Sequence, residues 1–213
     1  MDKVSDNIIA LRKVKKDGSI DNEIIRSLCS QFNEQNNGIL PVDSVYGIAS
    51  QASKYQDNEE FFEEQSHPIT YLVSSFKMLD EIAVYNKLEY DFLHRIWPGE
   101  INVLLKSKSN DEKISVRMPR SRYILDLLEL LGEPLVYMEL QNNKGLIYEE
   151  KKILSNYSDK VSFIFIIKEF CKEHQLPSVV DVSREELIIV SEGKVPEEEI
   201  KSLYFLGADD VLE

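Results

Sequence analysis

Gly38-Ile39-Leu40-Pro41-Val42-Asp43-Ser44-Val45-Tyr46-Gly47-Ile48 is the stretch on which the reading of the whole chain turns. Its first five residues read as a short buried strand. From Pro41 to Gly47 the composition changes to a mixture of Pro, Asp, Ser, Tyr and Gly, which suits a loop at a strand end. Upstream, alternation over residues 7–14 predicts a strand and 15–19 supplies a turn. Ile24, Ile25, Leu28 and Phe32 then fall at helical spacing within a helix over 21–34, which Asn36, Asn37 and Gly38 stop.

The same alternation continues downstream. A short helix over 57–64 carries Phe61 and Phe62, and a strand follows over 69–74. Met78, Ile82 and Tyr85 mark one helix face and Leu88, Phe92, Leu93 and Ile96 another, ended by Trp97, Pro98 and Gly99. Strands are expected over 101–105 and 114–118, a leucine-rich helix over 124–131 closed by Gly132, and a strand over 134–140. A helix over 147–154, a β-branched strand over 161–167 and a hairpin of 179–182 with 187–190 come next. A last helix runs over 196–203, with Pro196 at its start and three glutamates in its first turn. No repeat, low-complexity block or long linker breaks the pattern, so one mixed α/β domain over residues 1–213 is expected.

Composition narrows the function classes. With 213 residues, 43% of them hydrophobic, the chain can bury a sizeable core. Its longest apolar runs, such as Val161 to Ile167, are far shorter than the roughly 20 residues of a membrane span, and no apolar signal core opens it. A soluble cytoplasmic protein, with no membrane partner, is the expectation. The formal charge of -13 disfavours unguided nucleic-acid binding, which draws its affinity from neutralised phosphates. Two basic clusters stand out locally: Arg12, Lys13, Lys15 and Lys16, and Arg117, Arg120 and Arg122. Cys29 and Cys171 lie among apolar, helix-forming neighbours and read as reduced core thiols. His67, His94 and His174 are scattered, so no metal site is expected.

Ordered matches along the chain resemble the YrdC-like family. Residues 39–48 are similar to its signature loop, Pro-Thr-Glu-Thr-Val-Tyr-Gly-Leu after a buried strand. Trp97-Pro98-Gly99 followed by an apolar strand is a second, more specific match. Ser115-Val116-Arg117-Met118-Pro119 resembles the Val-Arg-Val-Pro element, and Gly132 to Val136 the Gly-x-Pro-Leu-Val strand. Pro177 to Val182 looks like the Ser-Thr-Val-Val-Asp strand. The resemblance is clearest over residues 20–203. It implies a twisted open sheet flanked by helices around a concave cleft, and an L-threonylcarbamoyladenylate synthase activity. Such a nucleotidyltransferase makes threonylcarbamoyl-AMP and pyrophosphate from ATP, L-threonine and bicarbonate. ATP with Mg is the implied cofactor for an active member, with none tightly bound. The implied partners are tRNA or a tRNA-modification protein, and several members are described as RNA-binding. Asp43, Ser44, Tyr46, Arg117 and Ser178 fall where the family lines its cleft. Without the resemblance they read as a loop bonding its own backbone, an arginine paired with one of many acids, and a serine at a strand start.

Three positions depart from the family pattern. Its cationic Lys-x-Arg-Pro loop corresponds to residues 62–68, which hold no lysine or arginine and only His67 as a cation. Its Ser-x-Asn motif corresponds to Glu139-Leu140-Gln141, and its Arg-Pro-Gly to Ser191-Glu192-Gly193. Triphosphate chemistry needs cations and fixed donors, and each departure removes one or adds an acid. Three functions therefore stay open. The chain is a divergent synthase drawing cations from Lys54, Lys77 or Lys144, a non-catalytic protein whose cleft binds a nucleotide, modified base or RNA, or an interaction module docking on a tRNA-modification partner. No residue is assigned a catalytic role.

Overall fold

The computed structural model describes residues 8–34, 37–63, 68–143, 145–168, 174–184 and 186–206. One sheet of 11 strands organises them. From edge to edge it runs β1 (Ile8–Leu11), β11 (Phe163–Ile167), β2 (Gly38–Val42), β3 (Val45–Gln51), β8 (Leu135–Glu139), β4 (Thr70–Leu72), β7 (Lys113–Arg117), β6 (Ile101–Ser107), β12 (Ser178–Asp181) and β13 (Ile188–Ser191). The short β5 (Ala83–Val84) also pairs with β6, and β9 (Gln141–Asn142) with β10 (Gly145–Leu146) forms a separate ribbon. Four pairings are parallel, β1 with β11, β11 with β2, β4 with β7 and β6 with β12, and the others are antiparallel. The helices are α1 (Asn22–Glu34), α2 (Tyr55–Glu63), α3 (Phe76–Ile82), α4 (Lys87–Ile96), α5 (Arg122–Leu131), α6 (Glu150–Tyr157) and α7 (Glu197–Phe205).

Local chemistry sets the helix ends. Ser75 caps α3 by accepting from the Met78 N–H at 3.2 Å. Asn86 and Glu89 form a reciprocal capping box at the start of α4. At the end of α4, buried Trp97 donates its indole N–H to the Ile101 carbonyl at 2.9 Å, and the Trp97–Pro98 peptide is cis. Gly132 closes α5 in the left-handed region, with φ of 75°. The segment expected to be a loop up to Gly47 differs: after a two-residue turn at Asp43 and Ser44 the chain re-enters the sheet as β3.

Directly opposed residues of neighbouring strands share a face of the sheet. On one face, α1 and α5 cover the half built from β11, β2, β3 and β8. Phe32 packs edge-on to Phe163 with ring centroids 4.9 Å apart, and Tyr123 meets Phe165 at 5.9 Å. On the opposite face, Phe62 of α2 and Ile153 and Tyr157 of α6 pack with Ile39, Ile48, Val136 and Met138. Val103, Val116 and Val180 bury against α3, α4 and α7. Gly47 is needed for close approach, because a Cβ there would stand 2.2 Å from the Tyr137 ring. One part of the sheet keeps a face for other work: that of β4, β7, β6 and β12 turned away from α3, α4 and α7.

Candidate functional site

The register brings a polar set onto that face. Thr70 pairs with Tyr137, Ser115 with Leu104, and Asn102 with Val179. Thr70, Asn102, Leu104, Ser115 and Val179 line a cavity of about 340 Å³. Glu139 closes it at the end of β8 and Gln141 at the start of β9, and Ser191 and Glu192 border it at the end of β13. Its apolar walls come from Pro68, Leu104, Leu176, Pro177, Val179 and Val190.

The floor is a short hydrogen-bonded chain. The Asn102 amide donates to Thr70 Oγ1 at 3.1 Å, and Thr70 Oγ1 lies 3.0 Å from Ser115 Oγ. Asn102 is only 5% exposed and its Oδ1 makes no hydrogen bond among the described residues. An acceptor desolvated in this way favours a ligand that brings a donor. Glu139 is buried as well, next along its strand to the face of Tyr137. Burial, reinforced by the Glu139 charge, pushes the Tyr137 phenol well above its ordinary value, so it stays protonated. Its hydroxyl donates to the Val45 carbonyl at 3.1 Å.

The turn at Asp43 and Ser44 builds a second polar cluster. Asp43 holds φ of 53°, a left-handed conformation that aspartate tolerates better than most residues. Its Oδ1 accepts from the Ser121 N–H at 2.7 Å and the Ser121 hydroxyl at 2.9 Å, while its own N–H donates to Ser121 Oγ at 2.7 Å. Ser121 thus ties the start of α5 to the turn. Asp43 Oδ2 faces Arg117 Nε at 3.9 Å, and the Arg117 side chain is only 1% exposed. Asp43 and Ser44 also border a smaller cavity of about 230 Å³ with Glu100, Arg120, Arg122 and Lys194.

None of the sequence-expected residues is in the lining of the 340 Å³ cavity. Asp43 and Arg117 come together as a buried ion pair. The Ser44 hydroxyl lies 2.9 Å from Glu100 Oε2 and 3.0 Å from the Gln175 carbonyl, and its own carbonyl meets His174 Nδ1 at 2.8 Å. Tyr46 projects to the other face, where its hydroxyl donates to the Ile167 carbonyl and accepts from the Ile167 N–H, both at 3.1 Å. Burial pushes that phenol up to about 12. The fully buried Ser178 hydroxyl accepts from the Gly193 and Val195 N–H groups at 2.9 and 3.1 Å and donates to the Val195 carbonyl. Each of these side chains bonds to another segment of the protein.

Thr70, Asn102 and Ser115 carry the cavity floor and were not singled out by motif. Their signal was present as one polar residue at every second strand position, opposite Val103 and Val116 on the buried face. Among the substitute cations, the Lys54 ammonium donates to the Phe32 and Asn33 carbonyls at 2.6 and 2.9 Å, at the end of α1. Lys77 is exposed on α3, which packs on the opposite face. Residues 64–67, with the one cation of the corresponding family loop, and Lys144 and Cys171 lie outside the described residues. Among the described residues no cluster of His, Cys, Asp or Glu could hold a metal ion, and no helix is long and apolar enough to cross a membrane.

A mixed α/β sheet, half of one face covered by helices and the other half cupping a ligand-sized cavity, is the class this geometry defines. Residues 31–193 match the model of the Sua5/YciO/YrdC family, which carries the description Telomere recombination. The chain belongs to that family. Among solved structures, E. coli YciO superposes with a TM-score of 0.79 at 15% identity, over 91% of this chain and 98% of that one. P. abyssi Sua5 complexed with L-threonine superposes at 0.77 with 22% identity, over 92% of this chain and 60% of that one. HypF in its phosphate- and nucleotide-bound form gives 0.66 at 13% identity, over 79% of this chain and 29% of that one. At these identities the likeness is one of fold. The chain spans about 60% of the length of P. abyssi Sua5. No curated protein sequence matches it.

Proposed function

We propose that this protein serves tRNA threonylcarbamoyladenosine modification as a single-domain YrdC-like cleft protein that binds a ligand without making threonylcarbamoyl-AMP. The observation that carries this reading is the cavity lining: Glu139 and Glu192 are its charged residues, and no lysine or arginine lines it among the described residues. A carboxylate about 5 Å from a phosphate, at an effective dielectric near 20, repels it by roughly 3 kcal/mol per unit charge. These side chains do not fit a triphosphate, whether alone or with Mg, so no adenylate-forming step is derived for them. In this reading Asp43, Ser44, Tyr46, Arg117 and Ser178 shape the cleft from its frame, and tRNA or a tRNA-modification protein in the cytoplasm is the partner.

The test is pyrophosphate release and adenylate formation from ATP, L-threonine and bicarbonate with magnesium. The expected outcome is no release above the protein-free rate. Robust turnover would restore the synthase reading, with its cations drawn from elsewhere in the chain.

A further inference from the structure

We infer that the edge of the molecule formed by residues 12–19 and the start of α5 is a docking face for a short acidic segment of a partner protein. This face rests on the reading of the chain as a participant in tRNA modification, and it names a protein, not RNA, as what touches the chain there. The two basic clusters of the sequence, far apart along the chain, meet at this edge. In a tight turn the Lys15 N–H donates to the Ser19 carbonyl at 2.9 Å and the Gly18 N–H to the Lys15 carbonyl at 3.0 Å. The turn lies against α5, so that a Cβ on Gly18 would stand 3.6 Å from the Arg122 Cβ. Val14 and Gly18 from the first segment and Arg120 and Arg122 from the second therefore line one cavity of about 230 Å³, together with Lys194.

Several of these cations are engaged already. Lys15 pairs with Asp21 at 2.7 Å and Arg122 with Asp126 at 2.8 Å, and Arg12 and Lys194 also interact within the chain. Lys13, Lys16 and Arg120 are exposed, and their side chains make no hydrogen bond or ion pair among the described residues. The other acids nearby are bonded elsewhere: Asp17 accepts from the Ser19 N–H and hydroxyl, and Glu100 from the Ser44 hydroxyl. Three positive side chains thus face solvent beside paired ones, on a chain whose formal charge is -13. That contrast selects the partner. Charges are screened beyond about 8 Å at physiological salt, so the face attracts what lies directly on it. A few consecutive Asp or Glu side chains fit within it. An RNA backbone or an anionic membrane extends past it and meets the acidic remainder of the surface.

NMR titration of the isotope-labelled full chain with hexa-L-glutamate, and separately with an RNA stem-loop, tests this. Amide shifts are expected to move with hexa-L-glutamate at residues 12–19 and 120–123, to saturate below about 1 mM at low salt, and to weaken as salt rises. Reversing the three exposed cations together, Lys13→Glu, Lys16→Glu and Arg120→Glu, should weaken that binding about 10-fold or more while thermal unfolding stays unchanged. The neutral set Lys13→Gln, Lys16→Gln and Arg120→Gln, expected to weaken it about 3-fold or more, decides the matter if the reversed chain fails to fold. Lys77→Glu, at an exposed position on α3, should leave binding as it was. Shifts spread over other surfaces, no saturation, equal binding by the reversed chain, or an RNA stem-loop that binds this face more tightly than the peptide each overturn the docking face. Pyrophosphate release measured on the same preparation separates the two ideas. Turnover sinks the non-catalytic reading, whereas a silent assay without peptide binding sinks the docking face alone.

Discussion

The Arg117 side chain is 1% exposed, 3.9 Å from Asp43 Oδ2, and its Nε and one terminal nitrogen make no hydrogen bond among the described residues. An ion pair at that depth contributes little net stability, yet removing one partner strands the other charge. Arg117→Met is therefore expected to destabilise the fold by about 3–5 kcal/mol, as read from the denaturant midpoint. Adding Asp43→Asn should recover part of that loss, and strictly additive costs would refute the coupling. The same burial makes Arg117→Ala a poor probe of activity, since lost turnover would report unfolding. At this scale the sequence was half informative. It marked Asp43, Arg117 and Ser178 as polar residues at the cleft, but a strand arginine gives no sign of whether its guanidinium reaches the ligand or an aspartate behind it. Only the turn at Asp43 and Ser44, placed by Ser121, settles that.

Among the elements, most helices and strands could be read from periodicity, and the exception is instructive. β3 is buried at all seven positions, so it shows no alternation, and Pro41 and Gly47 give its surroundings the composition of a loop. The ribbon of β9 and β10 was too short to register as periodic. Where elements meet, side chains hold them in register, as at the far end of β12. There Asp181 Oδ2 accepts from Lys113 Nζ at 2.6 Å and Oδ1 from the Ser183 N–H and hydroxyl at 2.9 and 2.6 Å. Burial works against this carboxylate's charge, but Lys113 and Ser183 outweigh it and hold its pKa below the ordinary value of 3.8. A depressed pKa means stability fully present above 3.8 and lost as pH falls through the lower, folded value. Asp181→Asn should cost about 1–3 kcal/mol at pH 7. The deficit should shrink in acid, and urea midpoints that stay parallel from neutral pH down to about pH 2 would refute the assignment.

Across the molecule, the sheet and its cleft were what the resemblance implied, carried by matches that run in order along the chain. What they could not convey was which half of the sheet stays open. That depends on α1 and α5 meeting over Phe163 and Phe165 and extending no further. Nor could the net charge of -13 locate Glu139 and Glu192, two acids among 38, at one cavity. The cavity's outer wall has its own consequence. Among the described residues β13 pairs with β12 alone, through a register shift at Val179 and Val180, while the floor strands are paired on both sides. Such an edge opens locally at lower free energy than the strands behind it. Backbone amides of residues 188–191 should thus exchange with deuterium sooner than those of 101–105, and a bound ligand should slow the first set selectively. The hairpin then doubles as a gauge of occupancy, readable by mass spectrometry even for a ligand that leaves no product.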